Sequence, residues 1–213
     1  MFIDYLALML LNLTAGLFLL GAYMAWGLCC GEDRRLWSPA FGAVGLVALL
    51  TGLHMTFTWP LPGPFNMAFG EMSVLFGAAY LAAAVAVGLG WSLVGVAVYG
   101  AIGGLGAVVV GIRILHLHLI SHIHLTAMPA LTAAGYILVG ISALLVLGAL
   151  ASKAAKGLRI LAAVLLFLSA GLWGFNAYGA YWMHFEAQKD WKPATMHAAA
   201  AQPASALAAE AAK

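Results

Sequence analysis

The run Leu93-Val94-Gly95-Val96-Ala97-Val98-Tyr99-Gly100-Ala101-Ile102-Gly103-Gly104-Leu105-Gly106-Ala107-Val108-Val109-Val110-Gly111-Ile112-Arg113-Ile114-Leu115 decides the fold. Arg113 is its one charged residue. At 1.5 Å rise, about 20 apolar residues in a helix cross the roughly 30 Å hydrocarbon layer of a bilayer. Gly100 and Gly104 form a Gly-x-x-x-Gly pair that lets another helix approach closely, so this span is expected at the centre of a helix bundle.

Runs of the same kind lie on either side. Together they predict six transmembrane helices at about 5–28, 39–58, 67–88, 93–115, 127–150 and 158–183. Polar or helix-breaking residues separate them. Gly31-Glu32-Asp33-Arg34-Arg35 ends the first span, and Ser38 with Pro39 reads as an N-cap and first turn of the second. Trp59-Pro60-Leu61-Pro62-Gly63-Pro64 stops the second, because proline cannot donate the helix hydrogen bond, and Asn66 reads as the N-cap of the third. The expected fold is therefore all-α, a polytopic six-helix membrane domain over 1–188 followed by a mobile Ala-rich tail over 189–213. Asp4 in place of a basic n-region, with no small-x-small cleavage site, argues against reading the first span as a signal peptide.

Composition supports this independently. Of 213 residues 65% are hydrophobic and 8% charged, with a formal net charge of +2, whereas a soluble domain carries roughly a quarter charged residues. The solvent for most of the chain is lipid, and a basic surface for nucleic acid is excluded. The two cysteines, Cys29 and Cys30, are adjacent and provide neither a disulfide framework nor a Cys-x-x-Cys motif. Lys and Arg in the short loops favour the face carrying Arg34, Arg35, Lys153, Lys156 and Arg159 over that carrying Arg113, Lys189 and Lys192. By the positive-inside rule the first face is expected in the cytoplasm, with both termini outside a cell inner (plasma) membrane, periplasmic in a bacterium.

Ionisable residues near the membrane collect at the outer ends of the spans. His54, Glu71, Arg113, the run His116-Leu117-His118-Leu119-Ile120-Ser121-His122-Ile123-His124, His184 and Glu186 all fall there, and none lies at mid-depth. A route for ions or protons requires such groups at several depths, which argues against a charged-solute transporter or proton pump. In a helix His118 and His122 share a face at the spacing of a two-imidazole clamp; in an extended chain all four histidines of the run point one way. His116, His118, His122, His124 and His54 are thus candidate metal ligands. Nearby Met55, Met67, Met72, Met128 and Met183 would suit copper, although methionine is more often a filler of apolar cores. His54 and His184 are the candidates for a haem held between helices. Glu71 and Arg113 are expected to form a structural ion pair, since each is costly alone at the hydrocarbon edge.

The block Gly52-Leu53-His54-Met55-Thr56-Phe57-Thr58-Trp59-Pro60-Leu61-Pro62-Gly63-Pro64-Phe65-Asn66, continuing to Phe69-Gly70-Glu71, resembles a family of uncharacterised bacterial and archaeal polytopic membrane proteins, a domain of unknown function. A weaker likeness extends over Val110-Gly111-Ile112-Arg113-Ile114. The resemblance implies that His54, Asn66, Glu71 and Arg113 occupy the family's characteristic positions, and that the His run is particular to this chain. It brings no activity with it, so whether the protein is an enzyme stays open. Two functions are expected from the residues: an outward metal or redox site, copper by preference, or a non-catalytic subunit packed into a larger respiratory or oxidase complex.

Overall fold

The computed structural model describes residues 5–28, 33–61, 63–117, 128–152 and 156–191, and its helices fall on the six expected spans. They are α1 (Leu6–Ala22), α2 (Ser38–Thr58), α3 (Met72–Leu89), α4 (Val94–His116), α5 (Met128–Ala151) and α6 (Lys156–Gln188). No strand occurs among the described residues, and all six helices are long and apolar enough to cross a membrane. The protein is an all-α, multi-pass membrane protein. It divides into two compact units, Met1–Gly179 and Ala180–Lys213; the helix bundle is the first, and the last turns of α6 belong to the second.

Two helical hairpins form the tightest packing, and glycine makes each of them possible. Where α2 crosses α3, a Cβ on Gly77 would stand 2.5 Å from the Leu49 main-chain nitrogen, and one on Gly45 2.7 Å from that of Leu81. Where α4 crosses α5, a Cβ on Gly104 would stand 2.7 Å from that of Ala143, and one on Gly140 would run into the Gly104 carbonyl. Backbones this close gain dispersion contacts that larger side chains would prevent. Of the Gly-x-x-x-Gly pair, only Gly104 has this role: a Cβ on Gly100 meets nothing within 4 Å. The span is not the centre expected of it: Val98, Ile102, Leu105 and Val109 form an exposed face, and one half of its motif faces space rather than a helix.

Larger side chains hold the other helices. Tyr80 of α3 donates its hydroxyl to the Gly16 carbonyl of α1 at 2.6 Å. Phe18 and Trp26 pack on Phe167 of α6, and Trp173 of α6 meets Tyr136 of α5 edge-on at 5.0 Å. Buried hydroxyls are satisfied locally, as where Ser142 and Ser169 donate to the carbonyls four residues earlier.

Several boundaries differ from the expected ones for identifiable reasons. A 3₁₀ turn, Arg34–Trp37, precedes α2, and Asp33 caps it by accepting from the Arg35 N–H at 3.0 Å. Ser38 therefore does not cap; its hydroxyl crosses to the Ala84 carbonyl of α3 at 2.8 Å. Asn66 is not an N-cap either. It is fully buried and folds the Pro-rich loop onto itself, accepting from the Leu61 N–H at 2.9 Å and donating to the carbonyls of Leu61 and Gly63. Trp59, at φ 47°, turns the chain out of α2. Two wide π-helical turns, Tyr23–Gly27 after α1 and Asn66–Glu71 before α3, had no counterpart in the sequence reading.

Candidate functional site

Among the described residues of the bundle, His54, Glu71 and His116 form no ligand cluster. His54 is exposed on the last turns of α2, with the Tyr5 ring edge-on at 5.1 Å. Met55 is 1% exposed and packs against Gly70, so the thioether beside His54 belongs to the core rather than to the imidazole. Met72 likewise turns inward. His116 is exposed at the end of α4, while His118, His122 and His124 lie outside the described residues. His184 belongs to the second unit, where it is half-buried. No group of three or more His, Cys, Asp or Glu side chains is placed to hold a metal among the described residues.

The expected Glu71–Arg113 pair is not formed. Among the described residues the ion pair present is Lys189 with Glu186 at 2.6 Å, in the second unit, and none joins Glu71 to Arg113. The cause is the rotational setting of α4. Its buried residues are Ala97, Ala101, Gly104, Ala107, Gly111 and Ile114, with Gly104 and Gly111 seated on α5, and this turns Arg113 outward to an exposed position while Glu71 stays half-buried.

The structure assembles its most distinctive feature inside the bundle. A cavity of about 150 Å³ is walled by α1, α3, α4, α5 and α6, together with the π-helical turn that precedes α3. Leu13 and Leu17 line it from α1, Phe76 and Tyr80 from α3, Gly100 and Gly103 from α4, Tyr136 from α5, and Leu166 and Trp173 from α6. The lining is almost wholly apolar. Protein interiors ordinarily pack to crystal density, and a dry apolar void of this size accommodates a benzene-sized molecule. Its emptiness follows from glycine: beside Gly100 there is open space, and a Cβ on Gly103 approaches only Leu75, at 3.8 Å. Of the α4 residues that line it, Tyr99 alone is large.

Polar groups on the walls are few and mostly committed. Tyr80 donates to the Gly16 carbonyl, and Tyr136 donates to the Ala68 carbonyl at 2.5 Å. Trp173 is 1% exposed and its indole N–H has no partner, a rare condition for a buried donor. Gly135 makes room for that indole, since a Cβ there would stand 2.9 Å from its nitrogen. A second cavity of about 100 Å³ shares Leu20, Tyr80, Gly100 and Ala143 with the first and extends toward Leu93 and Leu150. The two π-helical turns border this system at opposite ends: Ala68 and Phe69 line the first cavity, Tyr23 and Met24 the second. Such turns widen a helix locally and occur often at functional sites.

Of the cavity residues, the sequence marks Gly100 and Gly104 for helix packing and Met72 as a thioether, but not Tyr80, Tyr136 or Trp173. The available signal was position: Tyr80, Tyr136 and Trp173 stand within their spans rather than at the interfaces where Tyr and Trp ordinarily collect. An aromatic ring with a polar handle at such depth has to find an internal partner.

A family model described as "Protein of unknown function (DUF981)" matches residues 1–187. No curated protein and no solved structure matches the chain.

Proposed function

Since the chain belongs to the DUF981 family, whose description names no activity, we propose from its own residues that it binds an apolar or amphiphilic molecule of the membrane inside its bundle. The observation that carries this reading is the cavity walled by five helices and left open by Gly100 and Gly103. Concave, mostly apolar sites with a few polar groups between helices are the usual form of small-molecule sites in bundles.

The test is lipid analysis of protein purified in mild detergent, followed by delipidation and add-back. A co-purifying apolar molecule, with a melting temperature that falls on delipidation and recovers on add-back, supports the reading. Protein that carries no such molecule, and whose melting temperature ignores every lipid added, refutes it.

A second reading keeps the outward metal site, with copper preferred. It is supported by the spacing of the His run and by the exposure of His54 and His116, whose imidazoles are accessible to an incoming ion. Copper loading followed by elemental analysis tests it: His118→Ala with His122→Ala abolishes stoichiometric copper and His54→Ala weakens it. Metal-free wild-type protein after loading overturns it.

A further inference from the structure

The cavities do not end in apolar surroundings. At the face where α1 leads into α2 and α3 into α4, a third and larger pocket of about 470 Å³ shares Tyr23, Leu93 and Leu150 with the second cavity. Its wall includes Arg34, Arg35 and Asp33, together with Ser92 in the turn before α4. Asp33 is engaged in capping the Arg35 N–H, whereas both arginine side chains are exposed. The polar wall therefore offers two guanidinium groups against one carboxylate. Beyond it, consecutive cavities share walls through to Trp173, and their lining changes from polar to almost purely apolar.

Charge at one end and apolar depth behind it define an occupant. Building on the apolar-ligand reading above, we infer that this series of cavities holds one long apolar chain whose anionic headgroup is bound by Arg34 and Arg35. Guanidinium is the side chain best matched to carboxylate and phosphate oxygens, which it grips bidentately. From Leu93 to Ala107 along α4 the cavities cover about 21 Å at 1.5 Å per residue, more than half of the roughly 30 Å hydrocarbon thickness; the two apolar cavities, about 150 and 100 Å³, take part of such a chain and the third, about 470 Å³, takes its headgroup end. Gly100 borders both apolar cavities, so its missing side chain keeps the passage between them clear. The headgroup chemistry is shared by a free fatty acid and a monoacyl phosphate lipid, and the experiment separates the two.

Delipidated full-length protein in nonionic detergent is titrated with oleate, oleoyl lysophosphatidate and neutral monoolein, and occupancy is read by native mass spectrometry. One equivalent of an anionic probe is expected, with the tighter of the two anions identifying carboxylate or phosphate. Arg34→Gln with Arg35→Gln is expected to weaken the anionic probes at least tenfold and leave monoolein unchanged. Gly100→Leu, which plugs the passage, is expected to abolish binding of all three, while Gly95→Leu, on an exposed part of α4 outside the cavities, changes nothing. Monoolein binding as tightly as oleate, with no loss in the arginine variant, overturns the headgroup assignment and leaves the apolar site standing. Binding that survives in folded Gly100→Leu protein overturns the cavity reading itself. A photoactivatable oleate with its reactive group on the tail gives the same decision in wild-type protein. Labels on Leu20 or Tyr80 support the inference, and labels confined to lipid-facing residues such as Leu50 and Val109 overturn it.

Discussion

Glycine plays two opposite roles in this bundle, and a pair of alanine substitutions separates them. At Gly77 a methyl group would sit 2.5 Å from the Leu49 nitrogen and 2.9 Å from both the Gly45 carbonyl oxygen and the Leu49 Cα. All three are main-chain atoms and none can rotate away. Restoring an ordinary Cβ contact requires α2 and α3 to separate by roughly 1 Å, and a gap of that size forfeits a quarter to a half of each dispersion contact along the crossing. Overpacking in a well-packed interior costs typically about 1–3 kcal/mol, and rigid neighbours place Gly77→Ala at the upper end. Helix propensity returns about 1 kcal/mol, leaving a net loss of about 2 kcal/mol. Gly100→Ala meets nothing within 4 Å, so it keeps the propensity gain without the collision and is expected to stabilise by about 0.5–1 kcal/mol. The two variants, chemically identical, should differ by about 3 kcal/mol, roughly a hundredfold in the unfolding equilibrium. Reversible unfolding in mixed micelles, titrated with a denaturing detergent, measures both. Equal stabilities, or Gly100→Ala as the less stable of the two, would falsify the assignment of Gly77 to a helix crossing and of Gly100 to open space.

Asn66→Ala removes a side chain that serves the main chain at Leu61 and Gly63, and should cost about 1–3 kcal/mol by stranding buried backbone groups; a lower melting temperature with faster proteolysis of the Pro-rich loop checks it. Glu71→Gln and Arg113→Gln should be additive within about 0.5 kcal/mol in a double-mutant cycle, because the two groups are not paired; a larger coupling energy would show that they meet. Ser38→Ala loses the hydroxyl bond to Ala84 and should cost about 0.6 kcal/mol, the size of interhelical bonds measured in membranes, in the same micelle assay. A single cysteine introduced at Gly63 should react with an impermeant thiol reagent from outside the cell and one at Lys156 should not; the reverse pattern would invert the orientation drawn from the Lys and Arg distribution.

The amino-acid sequence by itself determined the number, type and order of the membrane helices. Run length against bilayer thickness is a one-dimensional property, and the prolines between Trp59 and Phe65 and the charged stretch after Cys30 mark the span ends locally. Local side-chain roles were less legible. Ser38 and Asn66 each precede an apolar run, the position of a cap, yet each is drawn away by a partner the run does not contain: the Ala84 carbonyl for Ser38, the folded-back loop for Asn66. The rotational setting of each helix belongs to the tertiary structure alone. In a bilayer every face of a span is apolar, so the alternation of polar and apolar residues that orients a helix in a water-soluble protein is missing. Close approach decides instead. Gly104 seated on Gly140 turns Arg113 outward, away from Glu71, and leaves Gly100 facing a void. The cavity exists only because five helices, from distant parts of the chain, leave space between their walls, and no segment of sequence records a space that it encloses only with others.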